Sequence, residues 1–172
     1  MKITLRPETE NDIEAIDDLL NLAFAFDAHS KQDETWILQN LRTSGKLLLS
    51  LVAIDEAGEL VGQIAFSPVE IDDGSPEGLK DWIGLGPMSV NPRLQRMGIG
   101  RQLIEAGLNE MKSRGVSGCV VLGEPGFYER FGFETCGNLI LSGAPAPFFM
   151  ARAFKGEMAK GIVHYDKAFS GD

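Results

Sequence analysis

Apolar residues along the chain switch between two periods, and the switches mark its elements. Ile3 and Leu5 alternate with polar neighbours as far as Pro7, which predicts a short first strand. From residue 12 the spacing changes: Ile13, Ile16, Leu19, Leu20, Ala23 and Phe24 recur every three to four positions and predict a helix. Thr9, three positions ahead of Asp12, resembles a capping box at its start. A second helix is predicted over residues 33–41, with Trp36, Ile37 and Leu41 on one side and Gly45 past its end. The polar segment 25–32 between the two helices reads as a loop over an active site. Residues 46–54 and 60–70 are strand-like, and Asp55-Glu56-Ala57-Gly58 joins them as an antiparallel hairpin. Residues 72–78 are loop-like on composition. Residues 81–90 read as a strand that contains Gly84, Gly86 and Pro87. Proline cannot donate to a ladder, so this strand is expected to bulge or splay near Pro87. Leu103, Ile104, Gly107, Leu108 and Met111 then form a stripe on a helix over 99–114, which Gly115 ends, and a buried strand at 118–122 follows. Strand, long helix, strand is a crossover that implies parallel pairing. Short strands near 138–142 and 161–165 close the chain, with Pro145 and Pro147 between them. The expected class is α/β, a single domain over residues 1–172 with a mixed sheet.

Composition narrows the function without naming it. The 172 residues suit one core, and an apolar fraction of 44% with 24% charged residues excludes disordered, collagen-like and disulfide-scaffold chains. Sixteen basic against 25 acidic residues leave a formal charge of −9, which argues against nucleic-acid or anionic-membrane partners and is compatible with cationic substrates. Cys119 and Cys136 form no CxxC pair, and His29 and His164 stand at opposite ends, so no metal site is expected. The first residues turn polar after Leu5, unlike a signal peptide. The most apolar stretch, 47–54, is interrupted by Ser50 and falls far short of the ~20 residues that span a bilayer. A reduced, cytoplasmic location is the expectation.

The sharpest local signal is Gln95-Arg96-Met97-Gly98-Ile99-Gly100-Arg101, between the splayed strand and the long helix. Two glycines one residue apart let the backbone turn its N–H groups into one space, and the helix that starts there adds the positive end of its dipole. Such a nest suits a phosphate or pyrophosphate, and Arg96 and Arg101 add charge. The string alone equally permits a strand-to-helix turn that needs flexible glycines and no ligand. It is not a Rossmann fingerprint, because Leu103 stands where the third glycine belongs, and no GK[ST] makes it a Walker loop.

Val90-Asn91-Pro92 followed by Gln95-x-x-Gly98-x-Gly100 and an amphipathic helix resembles the acyl-CoA motif of the GNAT N-acetyltransferase superfamily, Arg/Gln-x-x-Gly-x-Gly/Ala after a bulged strand. The order of elements is similar over nearly the whole chain. Leu85-Gly86-Pro87-Met88-Ser89-Val90, Val121-Leu122-Gly123-Glu124 and Phe127-Tyr128-Glu129-Arg130-Phe131-Gly132-Phe133 most resemble the YhbS-like acetyltransferases. The resemblance implies a central, mostly antiparallel sheet splayed between its fourth and fifth strands and flanked by helices. It implies acetyl-CoA as acyl donor and no metal. It also implies that backbone N–H groups of Arg96, Met97, Gly98, Ile99, Gly100 and Arg101 hold the pyrophosphate, with Gln95 in the same cofactor-binding set, that Met88, Ser89 and Val90 pair with the pantetheine arm, and that the bulge polarises the thioester carbonyl.

Tyr128 falls where the family places a general acid, at the helix after the fifth strand; packing among Phe127, Phe131 and Phe133 is its other reading. Attack by an amine also needs a base. Glu124, at the end of the strand before Tyr128, is the nearest candidate, and Glu70 and Asp72 are less well placed; a solvated surface charge is the alternative for each. Cys119 reads as a small core residue, in keeping with direct transfer. Acceptor contacts are expected from 25–32, including Phe26 and His29, from 72–78, and from the segment around Phe148. The function expected is acetyl transfer from acetyl-CoA to a primary amine of a small molecule or peptide. A different acyl donor, an alcohol acceptor, a non-catalytic CoA-binding module and a nucleotide-phosphate binder are the alternatives, and a homodimer is left open.

Overall fold

The computed structural model describes residues 1–27 and 30–170. Strand β1 (Thr4–Pro7) stops at its proline, and a short 3-10 turn, Glu10–Asp12, leads into α1 (Ile13–Phe24). The capping box at Thr9 and Asp12 is present: the Thr9 N–H donates to the Asp12 carboxylate at 2.7 Å. Arg6 grips the same carboxylate through both terminal nitrogens, at 2.7 and 2.9 Å. Helix α2 (Glu34–Thr43) follows, tied to the end of β1 by Arg42 Nε on Glu8 at 2.8 Å. Next come β2 (Leu49–Ile54), β3 (Leu60–Asp72), β4 (Leu79–Val90), α3 (Ile99–Ser113) and β5 (Gly118–Leu122). Helix α4 (Pro125–Tyr128), β6 (Glu134–Thr135), β7 (Leu139–Ile140), β8 (Phe149–Ala153) and β9 (Gly161–Tyr165) complete the order.

Among the described residues the strands form one nine-stranded sheet ordered β1-β2-β3-β4-β5-β8-β6, with β9 on β3 and β7 on β9. Neighbours are antiparallel except for β4 with β5 and β7 with β9. Strand β3 is long enough to share one edge: β2 takes residues 60–66 and β9 takes 69–72. Helices α1 and α2 cover one face, where Ile16, Leu20, Leu38 and Leu41 pack on Val52 and Ala65. Helix α3 covers the other, where Leu103, Ile104 and Met111 pack with Ile64, Phe66 and Ile83. Val69, Trp82, Val120, Phe149 and Val163 form a further cluster towards β9.

The hairpin, the long helix and the parallel crossover match the sequence expectations. The second strand begins three residues late because the Lys46 and Leu47 N–H groups both donate to the Leu41 carbonyl and finish the C-terminus of α2. The predicted loop at 72–78 shortens because β3 runs on against β9. Strand β8 was not expected at all: Phe149-Met150-Ala151-Arg152-Ala153 has no β-branched residue, and its pairing with β5 supplies the ladder instead.

Arg6 and Thr9 together hold Asp12 at a pKa of about 2, with the Arg6 hydrogen bond as the largest cause. A depressed carboxylate adds stability above its unfolded pKa near ~4 and loses it as pH falls towards 2. Asp12→Asn is expected to cost about 1–2 kcal/mol at pH 7, kept below the full shift because Arg6 is partly open to water. Denaturant titrations at pH 7 and pH 2.5 check this: the gap between variant and parent should shrink at the lower pH.

Candidate active site

Strands β4 and β5 pair only through Trp82–Gly118, Ile83–Cys119 and Gly84–Val120. Beyond Gly84 they part, while each arm stays held on its outer edge, β4 by β3 and β5 by β8. The register explains the divergence. Phe66 faces Leu85 but Ile64 faces Met88, so β4 carries one extra residue at Gly86-Pro87 and bulges there. The Asn91 N–H donates to the Val61 carbonyl at 2.8 Å. By strand alternation Ser89 also turns its main chain to β3, whereas Met88 and Val90 turn theirs into the gap. Of the three residues expected to pair with a ligand, two therefore present free backbone.

The turn after β4 is built by its side chains. Asn91 Oδ1 accepts from the Arg93 N–H at 3.0 Å and shapes the 3-10 turn Pro92–Leu94. Arg96 and Gly98 then adopt φ of +66° and +86°, on either side of Met97. Such left-handed positions turn successive N–H groups towards one concavity. Gly98 caps α3, whose first-turn amides at Ile99, Gly100 and Arg101 have no acceptor within the helix. A Cβ at Gly98 would meet nothing within 4 Å; one at Gly100 would stand 3.7 Å from Val90 and 4.0 Å from Phe127. The start of α3 thus looks into the mouth of the fork. It is held there by Gly62 of β3, where a Cβ would come within 3.0 Å of Leu103 and 3.1 Å of Ile99. Ile99 is buried, while Gln95, Arg96, Met97 and Arg101 are exposed.

Tyr128 closes the other arm. The Phe127 and Tyr128 N–H groups both donate to the Glu124 carbonyl at 3.1 Å, which sets the single turn of α4 directly after β5. The Tyr128 ring is 9% exposed and stacks edge-on with Phe127 and Phe133, their centroids 5.1 and 5.9 Å away. It lies against Gly123, where a Cβ would collide with it. Burial, and then the nearby Cys119, push its phenol up to about 12. Phe131 and Phe133 are core residues, and so is Cys119, as the sequence implied.

Glu124 is exposed and stands ahead of the turn that carries Tyr128, at the same end of β5. The Phe148 carbonyl accepts from the Gly123 N–H at 2.9 Å, which brings its half-exposed ring to that end as well. Glu70 and Asp72 lie on the stretch of β3 paired with β9, away from the open arms. Phe26 is fully exposed just past α1; His29 lies outside the described residues.

Gln63 and Tyr165 escaped the sequence reading. Gln63 of β3, opposite Ser89, is fully buried with neither side-chain polar atom partnered, and Ser89 Oγ is buried and unpartnered too. The polar residue inside the apolar run Val61-Gly62-Gln63-Ile64-Ala65-Phe66 was its signal. Tyr165, whose ring covers Gly84, had none, because nothing local reveals that β9 pairs with β3. Among the described residues no group of three or more His, Cys, Asp or Glu is placed to hold a metal ion, and no helix is long and apolar enough to cross a membrane.

A forked mixed sheet with a glycine-rich helix start at its mouth defines an acyltransferase fold of the GNAT type. The profile of the Acetyltransferase (GNAT) domain family matches residues 47–135, and the chain belongs to that family of acetyltransferases. It is 38% identical to the uncharacterized N-acetyltransferase YhbS of Escherichia coli over 130 residues, 76% of this chain and 72% of that one. A GNAT family acetyltransferase from Brucella melitensis, solved in complex with acetyl-CoA, superposes with a TM-score of 0.84 at 39% identity, covering 98% of both chains. Escherichia coli YhbS in complex with CoA gives 0.87 at 31% identity, over 99% of this chain and 93% of that one.

Because the Tyr128 ring occupies the space above Gly123, Gly123→Ala should cost roughly 1–3 kcal/mol in denaturant unfolding. Gly126→Ala in the same turn, with open space around it, should cost nothing measurable.

Proposed function

We propose that this protein transfers an acetyl group from acetyl-CoA to the primary amine of a small-molecule or peptide acceptor, with residues 1–172 acting as one catalytic domain in the cytoplasm. The observation that carries the reading is the fork itself, a main-chain edge left open at Met88 and Val90 beside an anion-binding helix start. The likeness to two solved acetyltransferases in complex with acetyl-CoA or CoA supports the donor. On this reading the N–H groups of the turn from Gln95 to Arg101 hold the diphosphate, and Arg96 and Arg101 add charge around it. Met88 and Val90 pair with the amide groups of the pantetheine arm as an added strand would. The open space at Gly98 and the clearance at Gly100 fit a bulky anion against the backbone.

The acceptor nitrogen attacks the thioester carbonyl, the C–N bond forms, the C–S bond breaks and its electron pair goes to sulfur. Tyr128 is the acid at that sulfur. Its phenol stands at about 12, above the ~8.5 of a free thiol. The proton is therefore shared in a hydrogen bond to the leaving thiolate and not fully handed over. We assign Glu124 as the base that takes the amine proton and passes it to solvent, on its position beside Tyr128 and its access to water. Phe148 is assigned to the acceptor side for its half-exposed ring at the same end.

At a hundred times its dissociation constant acetyl-CoA should stabilise the protein by ~2.7 kcal/mol, raising Tm by roughly 5–10 °C in a thermal-shift assay. ATP and NAD should not; equal shifts with all three would point to a general phosphate binder and overturn the donor. Tyr128→Phe should lower kcat about 100-fold while the Kd for CoA holds. The phenol is protonated throughout pH 7–10, so the size of that defect should not vary across the range, which a pH–rate profile in a thiol-release assay tests. Full turnover in Tyr128→Phe would remove its role.

A further inference from the structure

Tyr165, the last residue of β9, has a buried hydroxyl without a partner. Its ring lies over Gly84: a Cβ there would stand 3.2 Å from Tyr165 Cε1 and 3.6 Å from Cζ. Gly84 is the final residue of β4 that pairs with β5, so the hydroxyl carried on Cζ sits where the fork opens. The ring is fixed in place by the pairing of Tyr165 with Val69 and by Phe169, whose centroid is 5.1 Å away.

The two phenols approach the fork from opposite faces. Tyr128 packs with Cys119 and Val121 in the cluster beneath α3. Tyr165 packs with Val69, Val120 and Val163 on the other face. The groups are near enough that negative charge on Cys119 or Tyr128 would oppose ionisation of Tyr165, whose phenol burial already raises well above its ordinary value. Tyr165 therefore stays a neutral hydroxyl, able to accept a hydrogen bond and unable to take a proton away. Its face of the sheet continues along β3 through Ser67 and Ala65 to the unpartnered Gln63, with Ser89 beside it.

A buried hydroxyl without a partner weakens the resting fold, because it has lost water and gained nothing. Groups that cost stability in this way mark places where function sets the residue. We propose that the Tyr165 hydroxyl receives the acceptor: it accepts a hydrogen bond from the attacking amine N–H on the face opposite Tyr128 and so aims the nitrogen lone pair at the thioester carbonyl. This rests on the acetyl-transfer reading above and adds the residue that binds the second substrate. Leaving group and nucleophile would then each meet one phenol, with the donor lying between them.

A probe that needs no knowledge of the natural acceptor is a conjugate of CoA whose sulfur carries a CH2–CO–NH–propyl chain, placing an amide N–H where the amine nitrogen would be. Titration calorimetry of Tyr165→Phe should show this conjugate bound about 5–10-fold more weakly than by the parent, with the Kd for CoA unchanged. Tm should hold or rise, since only an unpartnered group is lost. Gly84→Ala, which pushes on the ring and leaves the hydroxyl, should weaken the conjugate selectively as well. Equal changes for conjugate and CoA, or none for either, would overturn the assignment. So would a fall in Tm with both affinities intact, which marks a purely structural hydroxyl. Failure of the parent protein to bind CoA at all would overturn the acetyl-transfer reading along with it.

Discussion

A buried strand edge must find partners for its N–H and C=O groups, and β4 beyond Gly84 has partners on one side only. The extra residue at Gly86-Pro87 tilts the strand away from β5, while β3 and β8 stop either arm from collapsing into the gap. The proposed site is arranged around that enforced opening. The start of α3 stands at its mouth because Gly62 lets the helix approach β3, and Tyr128 reaches it because α4 begins directly after β5.

Charge works locally against the global balance. The protein carries a formal charge of −9, yet the concavity before α3 gathers Arg96, Arg101 and the unsatisfied amides of a helix start. A weak ion pair from Arg101 to Glu105 at 4.0 Å, with both groups well exposed, does little to neutralise it. On the proposed reading an anion is drawn to this region, where fixed dipoles that pay no reorganisation cost meet it.

How far the sequence could be read followed from the range of the interactions involved. The turn from Gln95 to Gly100, the stripe of α3 and the aromatic run around Tyr128 depend on neighbours within a few residues, so their spacing displays them. The bulge at Pro87 was equally legible, because proline withholds a donor whatever surrounds it. Strand β8 and the docking of β9 on β3 were not, since each depends on an edge supplied from far along the chain. The unpartnered atoms of Gln63, Ser89 and Tyr165 were hidden for the same reason: burial is a property of the assembled sheet. Ser89 was expected to face a ligand through its backbone, but the parity that turns it to β3 is set by the pairing of Asn91 with Val61.

The shared edge of β3 divides the molecule by chain order as well as by geometry. Gly62, the bulge, the helix start and Tyr128 arise from one continuous half of the chain, whereas Tyr165 arrives from the tail through the last pairing on that edge. If Tyr165 receives the acceptor as proposed, change in the tail would redesign what is modified without disturbing the apparatus that supplies the modifying group, and a ribosome completes the two in that order.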